Sequence, residues 1–196
     1  TGGDINRKSI NLHHAIIIPD AFMELIDRAT REDGFDDSWK LIDPHSGEVK
    51  KIVSAKTLWV KLIQNRVETG EPYIMFGDTV NDKLPEFQKQ LGLKVNQSNL
   101  CSEITLPTND DRTAVCCLSS VNLEKYDEWE NDDNFIPDLI RFLDNVLDHF
   151  IENAPDSLEK AKYSASQERS IGLGAMGFHA YLQKNNIPFE SPMAKG

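Results

Sequence analysis

Over residues 54–76 the hydrophobic period switches, and no other stretch constrains the fold as tightly. Leu58, Trp59, Leu62, Ile63 and Val67 recur at helical spacing, Ser54 stands where an N-cap hydroxyl is wanted, and Gly70 stands where a helix can stop in the left-handed conformation. Tyr73-Ile-Met-Phe76 then forms a short unbroken apolar run, the pattern of a buried strand. Helix, short loop and buried strand are the rhythm of an α/β layer, so α/β is the expected class.

The same grammar recurs along the chain. An apolar run from Leu12 leads to Pro19 and Asp20, which mark a helix start, with Phe22, Met23 and Ile26 at helical spacing behind them. Asp43-Pro-His-Ser-Gly-Glu48 reads as a turn. Asn134 or Asp133 is placed to cap a long helix with Pro137 in its first turn and Leu139, Ile140, Leu143, Val146, Leu147 and Phe150 on its buried face. Residues 158–168 are helical in composition. Val95 to Leu106 and Thr113 to Leu123 read as two extended segments separated by a turn at residues 108–111, and if they pair, Cys101 and Cys116 come from neighbouring strands.

The 196 residues carry a formal net charge of −11 and a pI near 4.9, which argues against a basic nucleic-acid groove or a polybasic membrane surface. No window approaches the roughly 18 apolar residues of a membrane-spanning helix and no charged-then-apolar leader opens the chain, so the reading is a soluble, intracellular, cytoplasmic protein. Three cysteines, Cys101, Cys116 and Cys117, are too few and too odd in number for a disulfide framework. Both ends, Thr1-Gly-Gly-Asp and Ser191-Pro-Met-Ala-Lys-Gly196, read as mid-chain sequence, so a fragment is expected.

Several motifs compete for the chemistry. Gly172-Leu-Gly-Ala-Met-Gly177 fits the dinucleotide fingerprint G-x-G-x-x-G, but a polar helical stretch precedes it and no acid closes a second strand, so tight packing at a strand-to-helix turn is the preferred reading. His13 and His14 are adjacent in an extended run and point to opposite faces, which does not suit a shared metal ion. No C-x-x-C pair is present, His149 reads as a surface residue near a helix end, and the acidic run 124–133 reads as a solvated face. Asn99, Cys101 and Glu103 are different: at alternate positions of an extended segment they would share one face, presenting an amide, a thiol and a carboxylate to a single cavity. A half-buried strand holding one small cysteine would give the same pattern.

The wider sequence weighs on that choice. NQSNLCSEITLP, TAVCCLSSVNL and ERSIGLGAMGFHAYLQ, in this order and spacing, resemble the catalytic subunit of class I ribonucleotide reductase, and so do DPHSGEV, ETGEPYIMF and PFESPMAKG. The resemblance implies a ten-stranded α/β barrel with a central finger loop whose tip carries Cys101. It implies that Cys101 becomes a thiyl radical, that Glu103 accepts the 3′-hydroxyl proton of a ribonucleoside diphosphate, that Asn99 holds the ribose hydroxyls, and that Cys116 is one member of a redox-active cysteine pair, with Cys117 left to packing. It implies no cofactor in this chain: the radical comes from a metal-containing small subunit and the electrons from an external dithiol, thioredoxin or glutaredoxin. Residues 1–196 then form one partial domain, a central barrel segment lacking the N-terminal nucleotide-sensing region and the C-terminal part of the barrel, and the remaining parts of the subunit are partners. The alternatives are a non-catalytic assembly fragment of a split subunit and a NAD-binding oxidoreductase built on Gly172, Gly174 and Gly177.

Overall fold

A computed structural model describes residues 12–195. The reading of Thr1-Gly-Gly-Asp and of Gly196 lies outside the described residues. The chain divides into two compact units, Thr1–Pro107 and Thr108–Gly196.

In the first unit the elements run β1 (Ala15–Ile18), α1 (Asp20–Arg31), β2 (Ser38–Ile42), β3 (Val49–Ser54), α2 (Ala55–Thr69), β4 (Tyr73–Phe76), α3 (Gly77–Asp82) and α4 (Glu86–Gln90). Helix α2 starts and stops where the sequence indicates: the Ser54 hydroxyl accepts the Thr57 N–H at 3.1 Å, and Gly70 takes φ 79° at the end. Beside that cap the Asp37 carboxyl is held below its usual range, chiefly by the Lys56 N–H and then by the Ser54 hydroxyl, an anion stabilised at a helix N-terminus. Helix α1 follows Pro19 directly, with Asp20 in its first turn and Arg28 and Arg31 in its last. Strands β1 and β4 pair in parallel, Ala15 opposite Tyr73 through Ile18 opposite Phe76, while β2 and β3 form an antiparallel hairpin. The hairpin turn is the one expected at Asp43, whose carboxylate accepts the His45 and Ser46 N–H groups at 2.9 and 3.0 Å. Ile18, Phe22, Ile26 and Ala55 make the core, with Trp39 set edge-on to Phe22 at 5.1 Å. Burying Phe22 and Ile26 contributes about 1.5–3 kcal/mol each.

The second unit runs β5 (Cys117–Asn122), α5 (Tyr126–Trp129), α6 (Phe135–Asn153), α7 (Glu159–Glu168), β6 (Ile171–Met176) and α8 (Phe178–Lys184). Strands β5 and β6 pair in parallel from Cys117 opposite Ile171 to Asn122 opposite Met176, and α6 and α7 form the crossover between them. Of the stripe expected on α6, Leu143 and Leu147 are buried, whereas Ile140 and Val146 are exposed. Arg169, in the left-handed region at φ 43°, follows α7 and holds Asp144 and Asp148 of α6. The glycine motif lies in strand β6 and the turn after it. A Cβ on Gly172 would come within 2.7 Å of Leu118 Cδ2, and Gly177 links β6 to α8 at φ 76° with no room beside the Asn122 amide oxygen. Close packing at the strand-to-helix turn therefore accounts for Gly177.

One expectation fails. Residues 95–106 contain no strand, and the strand of the segment 113–123 is β5, which takes β6 as its partner. The cause lies in the side chains: Asn and Ser residues occupy the backbone groups that a strand ladder would use, and the chain turns at residues 100–102.

Candidate active site

The loop that carries Asn99, Cys101 and Glu103 is anchored by an amide. Asn81, on α3, accepts the Val95 N–H at 2.9 Å and donates to the Val95 carbonyl at 3.0 Å, so one side chain reads both polar groups of one residue as a neighbouring strand would. Val95 is 2% exposed against Met75 and Leu84, which fixes where the loop begins.

Further along, the loop closes on itself. The Asn99 side-chain oxygen accepts the Ile104 N–H at 3.1 Å, and the Ser98 hydroxyl donates to the Ile104 carbonyl at 2.6 Å. Inside this clasp the Ser102 N–H reaches the Asn99 carbonyl at 3.1 Å, and Ser102 takes φ 65°, a left-handed conformation that costs a non-glycine residue about 1–2 kcal/mol. The turn brings Asn99 and Glu103 into contact: the amide donates to Glu103 Oε1 at 2.7 Å. Cys101 is exposed between them in the turn.

The shared strand face expected for the three residues is thus replaced by a turn, with a different outcome. Asn99 and Glu103 are joined directly, so the amide aims the carboxylate, and the thiol is presented to solvent. Beneath the loop lies a cavity of about 280 Å³, walled on one side by Ser98, Asn99 and Ser102 and on the other by His13, Tyr73 and Met75.

Cys116 belongs to the second unit. It is half-buried immediately before β5, with its sulfur 3.9 Å from the Cys117 carbonyl, and the three cysteines are thiols. His13 and His14 both approach Glu71: His13 Nδ1 lies 2.6 Å from Glu71 Oε1, while His14 reaches the same carboxylate through its backbone N–H at 3.3 Å. The His13 contact is the main cause that holds the Glu71 carboxyl below its usual range. Among the described residues no group of three or more His, Cys, Asp or Glu side chains is gathered to hold a metal, and no helix is long and apolar enough to cross a membrane.

Sequence reasoning missed Asn81 and Ser98. Their signal was faint: a side-chain amide or hydroxyl able to bond backbone groups marks loops in general, and nothing in the spacing names Val95 or Ile104 as the partner.

A family model described as the ribonucleotide reductase barrel domain matches residues 3–196. The chain belongs to the ribonucleotide reductase family. A ribonucleoside-diphosphate reductase large subunit of Invertebrate iridescent virus 3 is 43% identical over 237 residues, covering 97% of this chain and 38% of the relative. The large subunit of Danio rerio is 30% identical, covering 98% of this chain and 26% of the relative. Among solved structures, a class Id ribonucleotide reductase alpha subunit of Actinobacillus ureae superposes with a TM-score of 0.73 at 35% identity, over 97% of this chain and 33% of that one. The chain therefore spans roughly a quarter to two fifths of these reductase subunits.

Proposed function

We propose that this chain is the central barrel segment of the catalytic subunit of a class I ribonucleotide reductase, and that its loop 98–104 takes part in reducing ribonucleoside diphosphates to deoxyribonucleoside diphosphates in the cytoplasm. The observation that carries the reading is the turn in which Asn99 donates to Glu103 at 2.7 Å beside the exposed thiol of Cys101. Hydrogen-atom transfer needs a sulfur that a substrate can touch, and proton removal needs a carboxylate already aimed at the hydroxyl.

In this reading Cys101, as a thiyl radical, takes the hydrogen atom from C3′ of the ribose. Glu103 accepts the proton of the 3′-hydroxyl and later returns it, and the 2′-hydroxyl leaves as water with a proton from one of two thiols, while the hydrogen of the other goes to C2′. These two thiols close to a disulfide and supply the two electrons, one from Cys116 and the other from a cysteine outside these 196 residues; the 3′ hydrogen then returns from Cys101. Asn99, one of whose amide protons is engaged by Glu103, has a second to offer the ribose hydroxyls. The radical is generated on a metal-containing small subunit, and thioredoxin or glutaredoxin reopens the disulfide. Residues 1–196 form one partial domain. The two-stranded parallel pairs β1–β4 and β5–β6 are continued by further strands into the ten-stranded barrel, since parallel sheets are rarely stable without cover on both faces.

The test is nucleoside diphosphate reduction by a chimaera in which residues 1–196 replace the matching segment of a complete class I catalytic subunit, with the radical-generating partner added. Deoxynucleotide formation that Cys101→Ser abolishes and Glu103→Gln slows by about 10²–10⁴-fold supports the reading. A folded chimaera that is inactive with Cys101 in place, or one indifferent to Cys101→Ser, overturns it.

A further inference from the structure

Two residues hold Ile104 from opposite sides, and one of them has no part in the chemistry described above. Ser98 is half-buried, lines the cavity beneath the loop, and donates its hydroxyl to the Ile104 carbonyl at 2.6 Å. The same hydroxyl oxygen lies 3.2 Å from the Asn99 side-chain oxygen, but it has a single proton and the shorter contact claims it. Asn99 takes the Ile104 N–H, so both polar groups of Ile104 are fixed by adjacent side chains, and Ile104 immediately follows Glu103.

We infer that Ser98 is a positioning residue for this site, acting through Ile104 to hold the Glu103 carboxylate and the Cys101 thiol at their working separation. The inference rests on the reading given under Proposed function. The geometry requires it for three reasons. First, residues 98–104 contain no strand or helix, so no ladder holds the turn. Second, Ser102 sits at φ 65°, an unfavourable conformation for serine that persists only where the surroundings impose it. Third, side-chain bonds from Ser98 and Asn99 hold both polar groups of Ile104 at the base of the turn, and Asn99 also holds Glu103. Loss of the Ser98 bond frees the Ile104 carbonyl and leaves the Asn99 side chain both to hold Ile104 and to aim the carboxylate. Because a misplacement of about 1 Å at a reacting group can cost on the order of 10²-fold in rate, the effect belongs to the chemical step rather than to substrate affinity.

The experiment uses the complete catalytic subunit carrying this segment, with its radical-generating partner, and compares Ser98→Ala, Ser98→Thr and Cys101→Ser. Ser98→Ala is expected to lower kcat by about tenfold or more with KM within about twofold, and to enlarge the isotope effect on a 3′-deuterated substrate, because hydrogen transfer becomes the slower step. Ser98→Thr, which keeps the hydroxyl, restores the rate. A threonine variant as slow as the alanine variant, or an alanine variant with unchanged kcat and isotope effect, overturns the inference. The Cys101→Ser control separates this failure from that of the underlying reading: turnover that survives the loss of Cys101 overturns the reductase assignment of the loop, whatever Ser98 does. Should Ser98→Ala not fold, the isotope effect is read on Ser98→Thr and Ser98→Cys, and equal values in these two, despite the weak thiol donor, count against a hydroxyl-specific role.

Discussion

Removing Glu168 should destabilise the second unit far more than removing any surface acid. Its carboxylate lies 2.7 Å from Arg112 Nη1, and the two side chains are only 7% and 9% exposed. Arg112 also stands over the Tyr163 ring at 4.9 Å, and its backbone bridges to Asn109, so the charge cannot swing out to water without undoing the segment before β5. Deleting one member of such a pair leaves a buried charge uncompensated, which costs about 3–5 kcal/mol. Asp138 and Arg141 supply the contrast: they pair at 62% and 69% exposure, where an ion pair is worth about 0–1 kcal/mol. The assay is urea unfolding followed by Trp129 fluorescence in a Trp39→Phe, Trp59→Phe background, so that the reporter lies in the unit being perturbed. Glu168→Ala should lose about 3–5 kcal/mol, Asp138→Ala under about 1, and Arg112→Met with Glu168→Met together less than Glu168→Ala alone, because an apolar pair of similar volume buries no charge. A Glu168→Ala loss of under about 1 kcal/mol, or a double variant whose loss equals the sum of the single ones, refutes the argument.

Gly177→Ala should cost about 1–3 kcal/mol and Gly172→Ala much less, because the first meets φ 76° and the fixed Asn122 amide, whereas the second meets only the end of the exposed Leu118 side chain; equal losses in urea unfolding would contradict this. The Glu71 carboxyl, depressed chiefly by its hydrogen bond with His13, stabilises the fold fully above the unfolded value of about 4.3, and this contribution is lost as pH falls through the lower folded value. A carboxyl carbon titration by NMR that placed Glu71 at the ordinary glutamate value would disprove it. In the complete subunit, turnover without external reductant should protect Cys116 from alkylation and leave Cys117 reactive, and equal labelling of both would remove Cys116 from the redox pair.

What could be read from the sequence was whatever local physics decides alone. Ser54, Gly70 and the stripe between them specify α2 because a cap, a stop and an amphipathic period agree, and the Tyr73–Phe76 run specifies β4 because four apolar residues after a helix stop have few other uses. The wide stripe on α6 overstated its burial, since periodicity reports a face and not how much of it is covered: Leu143 and Leu147 are enclosed while Ile140 and Val146 are not. The hairpin β2–β3 went unread beyond its turn, because Lys40, Lys50 and Lys51 break its apolar alternation.

The loop at 95–106 misled for a more instructive reason. It reads as extended in the sequence, but Asn81 occupies both polar groups of Val95, while Ser98 and Asn99 occupy those of Ile104, so at these two residues the backbone needs no neighbouring strand to satisfy it. A true strand would have set Asn99, Cys101 and Glu103 along one face and enclosed the thiol between neighbours. A turn closed by side chains achieves the opposite, with the amide and the carboxylate in contact and the thiol exposed between them. Alternation in the sequence picked out Asn99, Cys101 and Glu103 but gave them the wrong geometry, because it reports which side chains a strand would align and not whether side chains elsewhere satisfy the backbone first.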